Sequence, residues 1–192
     1  MLFRSACLAA GRLGIGVAAY PSGHPESTGP EEDLDVLAAK QRNGADFAIT
    51  QLFFDPTAYS RLRRRAEHAG ITIPIIPGIL PITDARRLHT MSRLSGLPVP
   101  DHLLARFDGV SDPASARRIG LDITAEHTAA ILDQDADGLH FYTFNDQNTT
   151  EDLLTALDDR GVSVSSFPPP PPPRRWPPSS ETETTTEKET RS

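Results

Sequence analysis

Cysteine is nearly absent: Cys7 is the only one in 192 residues, which excludes an intramolecular disulfide. No Cys/His spacing matches a zinc site, so a structural metal is not expected and a reducing, cytoplasmic setting fits the composition. Positive charge is also in short supply. With 19 Lys and Arg against 26 Asp and Glu, the net charge is -7 and the pI near 5.3, which argues against capture of nucleic acid through its phosphates. The one basic cluster, Arg61, Arg63, Arg64 and Arg65, sits in a helical pattern and reads as a solvated outer face. No run approaches the ~20 apolar residues of a membrane helix. The opening segment Met1 to Arg12 is interrupted by Arg4, so it reads as a leader or helix remnant over residues 1–13 and not as an export signal. A Gly-x-Gly-x-x-Gly turn is missing too, which withholds support from a dinucleotide-binding open sheet.

What is present is alternation. Four short apolar runs, from Ile15, Ala48, Ile73 and Gly138, each end in polar or special-backbone residues and are separated by helical patterns. Helices are expected over Glu31 to Asn43, over Pro56 to Ala69 with Asp55 as N-cap and Gly70 as stop, and from Thr83 or Asp84 through Leu94. Others are expected over Asp101 to Phe107, Asp112 to Asp133 and Thr149 to Leu157, the long one presenting Ile119, Ile123, Ala130 and Ile131 to the core. Strands apolar almost throughout imply a parallel sheet, hence an α/β fold. Periodicity alone leaves open a partial (β/α)8 barrel and a small doubly wound sheet. In either, ligand chemistry gathers at the C-terminal strand ends. Beyond Gly161 the composition changes: an unbroken proline run, Pro168 to Pro173, leads into a Ser/Thr/Glu-rich tail, so residues 162–192 are expected to be a disordered extension. Arg174 and Arg175 beside the prolines would suit a proline-binding partner domain.

Five blocks in order carry a family resemblance. They are Gly16-Val17-Ala18-Ala19-Tyr20-Pro21 with His24-Pro25-Glu26, Ala48-Ile49-Thr50-Gln51 with Phe53-Phe54-Asp55, Ile75-Ile76-Pro77-Gly78-Ile79-Leu80-Pro81, Phe107-Asp108-Gly109, and His140-Phe141-Tyr142-Thr143 with Asn145. Together they closely resemble methylenetetrahydrofolate reductase over about residues 14–161. The resemblance implies a partial TIM (β/α)8 barrel of about four parallel βα units, corresponding to strands five to eight of the family's flavin-dependent barrel.

It implies an enzyme passing a hydride from NADH or NADPH through FAD to 5,10-methylenetetrahydrofolate, giving 5-methyltetrahydrofolate for methionine synthesis. By the family pattern Tyr20, His24, Asp33 and Lys40 contact FAD, and Gln51 hydrogen-bonds the folate pterin. His140 and Tyr142 read as core residues with satisfied polar ends, and Gly78 as a point of close ligand approach.

Departures accompany the matches. Asp146 stands where the family has an Arg for the folate glutamate tail, a charge reversal that Arg86 or Arg87 would have to offset. Arg87 and Met91 replace a ligand-lining Gln and Phe, and Val36 and Ala39 replace polar or basic FAD contacts. The family's acidic catalytic Glu and the Asp beside the flavin lie in strands one to four, so no catalytic residue is assigned within this chain. An incomplete barrel implies low activity alone, and either a homo-oligomer or a complementary half-barrel chain as partner. Two other readings stand beside the enzyme: a non-catalytic assembly module, and a function vested in the proline-rich tail.

Overall fold

A computed structural model describes residues 14–162, so both the leader and the proline-rich tail expected from the sequence lie outside the described residues. Strands β1 (Gly16–Ala19), β2 (Phe47–Thr50), β3 (Ile75–Ile76), β4 (Gly78–Ile79) and β5 (His140–Phe141) alternate with helices α1 (Pro30–Arg42), α2 (Pro56–His68), α3 (Ala85–Ser95), α4 (Asp101–Leu104), α5 (Pro113–Leu132) and α6 (Gln147–Asp158). A 3-10 turn, Ala105–Phe107, follows α4.

Every strand pairing is parallel, and the order follows the chain: β1 on β2, β2 on β3, β4 on β5. Pro77 explains why one expected strand is two. It has no N–H to give to a ladder, and after it Gly78 N–H donates to the Thr50 hydroxyl at 2.9 Å in place of a backbone carbonyl. The same peptide region turns its other edge to β5, where His140 N–H donates to Pro77 O at 3.0 Å and Tyr142 N–H to Ile79 O at 2.8 Å. The segment thus serves β2 before the proline and β5 after it, linking both sheets. The ladders are shorter than the apolar runs that suggested them, because Leu52 and Phe53 leave β2 to pack sideways into the core.

Helix boundaries follow their caps. Asp55, Asp84, Asp112 and Asp146 each accept a backbone N–H of the first turn, and Pro occupies an early position in α1, α2 and α5. Gly96, at φ 74°, ends α3 in the left-handed conformation that favours glycine. Alternation within β1 and β2 assigns the faces. Val17, Ala19, Ala48 and Ile75 join the main core with Leu37, Tyr59 and Leu62 of the helices. Gly16 and Ala18, on the opposite face of β1, are exposed, while Phe47 and Ile49 of β2 are half-buried there. Tyr59 is fully buried and donates its hydroxyl to Ile75 O at 2.8 Å, and its burial raises the phenol pKa.

Two positions show backbone contact that no local pattern announces. A Cβ on Gly120 would lie 2.5 Å from Ile82 O, so α5 rests on the loop after β4, and Thr124 Oγ1 accepts Ile82 N–H there at 2.9 Å. A Cβ on Gly78 would lie 2.5 Å from both Thr50 O and Tyr142 Cε2. The missing side chain at Gly78 therefore accommodates neighbouring protein. Arg63 also departs from the solvated face expected of its cluster. Its guanidinium donates to Gln134 O and Asp135 O at 2.5 and 2.6 Å, closing the C-terminus of α5 against the helix dipole.

Candidate functional site

Four of the five residues expected to bind ligands meet at the C-terminal end of β1. Tyr20 follows the strand directly, a turn carries His24, and the first and last turns of α1 bring Asp33 and Lys40 to the same place. Together they line one hollow of about 300 Å³, with Val36 and Leu62 among its apolar walls. The Tyr20 and His24 rings meet edge to face with centroids 4.6 Å apart. Lys40 Nζ lies 5.9 Å from the Tyr20 ring centroid and donates to Ala18 O at 2.8 Å. Burial pulls the Lys40 pKa down while the Asp33 charge opposes that shift. Asp33 Oδ2 accepts the His24 backbone N–H at 3.2 Å, pinning the turn to the helix.

Of the two other acids on the lining, Glu32 is engaged. Glu32 accepts Thr28 N–H and the Thr28 hydroxyl, both at 2.7 Å, and the backbone bond leads in keeping its pKa low. His24 Nδ1 accepts Glu26 N–H at 3.1 Å, which leaves the Nε2 edge for another group. Glu26, Ser27 and Glu32 line the hollow as well, and sequence reasoning did not single them out as site residues.

Gln51 stands one strand over. Its N–H donates to Ala19 O at 2.8 Å, which puts it level with the start of the Tyr20 turn. Its side chain does not line the hollow: Nε2 donates to Leu94 O at 3.3 Å and Oε1 accepts Leu52 N–H at 2.9 Å. Both polar ends of the amide thus find partners within the protein. Tyr142 donates its hydroxyl to Thr50 O at 3.0 Å, the satisfied polar end foreseen for it, and burial, with Tyr20 nearby, raises its pKa. His140 packs edge to face on Tyr142 at 4.7 Å, and burial lowers its pKa.

The departing positions also have places. Met91 turns inward, 4% exposed, against Leu52 and Leu80, and so does not line the hollow. Arg87 lies with its guanidinium carbon 5.8 Å from the Phe144 ring centroid. Asp146 caps α6, accepting Thr149 N–H at 3.1 Å and its hydroxyl at 2.6 Å. Those bonds, aided by the charges of Arg117 and Arg87, hold its carboxyl below the usual range. Among the described residues no group of three or more His, Cys, Asp or Glu could hold a metal ion. No described helix is long and apolar enough to cross a membrane.

A parallel α/β wall whose C-terminal strand end carries an aromatic, an imidazole, a carboxylate and a half-buried ammonium defines an α/β protein with a polar hollow where such folds gather their ligand chemistry. Comparison with known families makes this specific. Residues 5–158 match methylenetetrahydrofolate reductase, and the chain belongs to that family. It is 37% identical over 136 residues to the 5,10-methylenetetrahydrofolate reductase of Pectobacterium carotovorum, covering 70% of this chain and 46% of that one. Against the enzyme of Escherichia coli K12 the identity is 38% over 132 residues, with 68% and 45% covered. A Caenorhabditis elegans protein described as "Probable methylenetetrahydrofolate reductase (NADPH)" is 36% identical over 145 residues, 74% of this chain and 22% of its own length.

The chain thus spans about half the length, or less, of these curated relatives. A solved structure from Clostridium thermocellum, of a protein that binds two copies of 5-methyl-5,6,7,8-tetrahydrofolic acid, superposes with a TM-score of 0.50 at 18% identity. It covers 79% of this chain and 55% of that one, a likeness of fold.

Proposed function

We infer that this chain supplies part of the ligand-holding mouth of a methylenetetrahydrofolate reductase, which reduces 5,10-methylenetetrahydrofolate to 5-methyltetrahydrofolate at the expense of NADH or NADPH. The observation that carries the reading is the convergence of Tyr20, His24, Asp33 and Lys40 on one hollow. These residues fit part of FAD. Lys40 offers the point charge that suits a pyrophosphate, the Tyr20 face suits a ring, and Asp33 can accept from hydroxyl groups. Bound there, the flavin would supply the two-electron chemistry that relays hydride from nicotinamide to folate. The protein's part is to orient it: Asp33 holds the His24 turn in register with α1, and Lys40 spans from α1 to the end of β1.

Folate as substrate is supported by the family and by the named ligand of the structural neighbour. In this reading Gln51 exchanges its long 3.3 Å contact with Leu94 O for the pterin edge. Arg87 takes the place of the family's tail-binding Arg, since Arg117 is committed to Asp152 and Thr149. The described units are read as four βα units, strands five to eight of an eight-stranded barrel. That reading draws on the sequential parallel strand order and the coverage of the relatives. No general acid is assigned within this chain.

Incubating the purified full chain with FAD and following flavin fluorescence tests the cofactor reading. Saturable quenching that weakens about tenfold or more in Lys40→Met supports it, and free-flavin behaviour of the wild type at every concentration overturns it. A second reading, assembly with a complementary half-barrel or another copy, rests on a different observation. Among the described residues β1 pairs only with β2 and β5 only with β4, so two parallel edges are available. Sedimentation of the full chain as a monomer at every concentration would remove the homo-oligomer.

A further inference from the structure

The inward face of α5 carries a group that neither the family pattern nor the cofactor hollow uses. Ile123, His127 and Ile131 recur at intervals of four, and both isoleucines are buried, which carries His127 toward the same interior. Its ring lies 5.2 Å from that of Phe53, tilted by 55°. No described residue hydrogen-bonds the imidazole. It is nevertheless not sealed in: the one enclosed, unsatisfied side-chain polar atom among the described residues is Gln134 Oε1. The residue is partly exposed and lines a cavity of about 210 Å³ between the strand ends and helices α3, α4 and α5. Phe53, Phe54, Leu80, Leu103 and Ile123 are among its walls with Met91, a ligand-lining position in the family pattern, and it shares no lining residue with the hollow at Tyr20.

We propose that this cavity is a second small-molecule site, taking an uncharged aromatic ring with one hydroxyl or ring N–H that His127 receives. The volume suits one substituted ring, since an apolar cavity of ~150 Å³ already holds benzene. Charge is disfavoured by the state of the neighbouring acids. Glu126, on the cavity wall, is held by the two terminal guanidinium nitrogens of Arg106, at 2.5 and 3.2 Å. Asp55 is spent on Thr57 and on Arg61, at 3.0 Å.

A cation would find no free carboxylate there, and an anion would meet Glu126 on the wall with the Asp55 charge nearby. His127 and the exposed His102 are the imidazoles on the lining, neither with a hydrogen-bond partner among the described residues, and in neutral His127 one ring nitrogen accepts while the other donates. Burial supports neutrality by lowering the His127 pKa to about 4 against the opposing pull of Asp55. A phenol or indole edge completes such a group, whereas a purely apolar ring leaves it unpaired.

The test titrates the full chain, with ¹⁵N-labelled histidine, with phenol and separately with toluene, reading the His127 ring signals by NMR. Phenol is expected to move them saturably and to bind about tenfold more tightly than toluene, the worth of one buried hydrogen bond. His127→Leu is expected to erase that preference while still admitting toluene, and Leu103→Trp to block both. Failure of phenol to move the His127 signals of folded wild-type protein overturns the proposal, as does equal affinity for the two probes. Because the wild-type comparison stands alone, a variant that fails to fold does not shield the proposal.

Discussion

Asp33 Oδ2 accepts the backbone N–H of His24 at 3.2 Å, so a carboxylate in the first turn of α1 fixes the turn that follows β1. Asp33 is thereby a positioning group as well as a candidate cofactor contact. Asp33→Ala is expected to cost about 1 kcal/mol of stability, the usual net worth of such a bond, and to weaken FAD binding at least about tenfold by freeing His24. Asp33→Asn keeps an oxygen for the same N–H and should lie between the two. Urea unfolding and flavin fluorescence titration, run on the same preparations, separate the two effects.

Lys40 makes a different prediction, because its value in this reading is its charge. It donates to Ala18 O at 2.8 Å, and burial already lowers its pKa, so its ammonium is partly desolvated before any anion arrives. A partly buried ion pair is less screened than an exposed one. Lys40→Met keeps the aliphatic stem and removes the charge. FAD affinity should drop about tenfold or more, and its salt dependence should flatten, as measured by titration at low and high ionic strength.

Helices were legible in the sequence because their signals are local: Asp55 as N-cap, Pro56 beside it and Gly70 just past the end of α2 are close in the chain and act on adjacent groups. The strands were legible as apolar runs but not as ladders, since pairing depends on what lies alongside. Pro77 moves its segment from one neighbour to another, and Leu52 and Phe53 are drawn into the core. The four residues named as flavin contacts from the family pattern line one hollow, whereas the bond of Gln51 to Leu94 spans 43 positions and left no trace in the sequence. His127 was legible in principle, falling on the same spacing as Ile123 and Ile131, but a polar residue within an apolar stripe does not by itself say that a cavity faces it.

At Gly78 the prediction concerns the join between the two sheets. An added methyl would meet a backbone carbonyl, Thr50 O, and the Tyr142 ring at 2.5 Å, and the carbonyl cannot step aside without disturbing β2. Gly78→Ala should cost about 1–3 kcal/mol as an overpacking change. Tyr142→Phe removes only the 3.0 Å hydroxyl bond to Thr50 O and should cost about 1 kcal/mol. Because both act on Thr50 O, the double variant should depart from additivity, which a double-mutant cycle in urea measures.

His127 sets a pH dependence of stability. Its folded pKa lies near 4, below the unfolded value of about 6.5, so in acid the unfolded chain takes up the proton first. The contribution of the neutral ring is therefore complete above about pH 6.5, shrinks as pH falls, and is gone below about pH 4, with an upper bound of about 3 kcal/mol. His140, whose pKa burial also lowers, acts in the same direction. Asp55 and Asp146 have carboxyls held below the usual range, so their losses begin lower, under about pH 4. The window between is thus mainly the two histidines'. Unfolding free energies of wild type and His127→Gln, taken across that window, should differ in slope, wild type falling more steeply toward acid. Parallel curves would mean that the imidazole is hydrated in the folded protein and pays no burial penalty on charging.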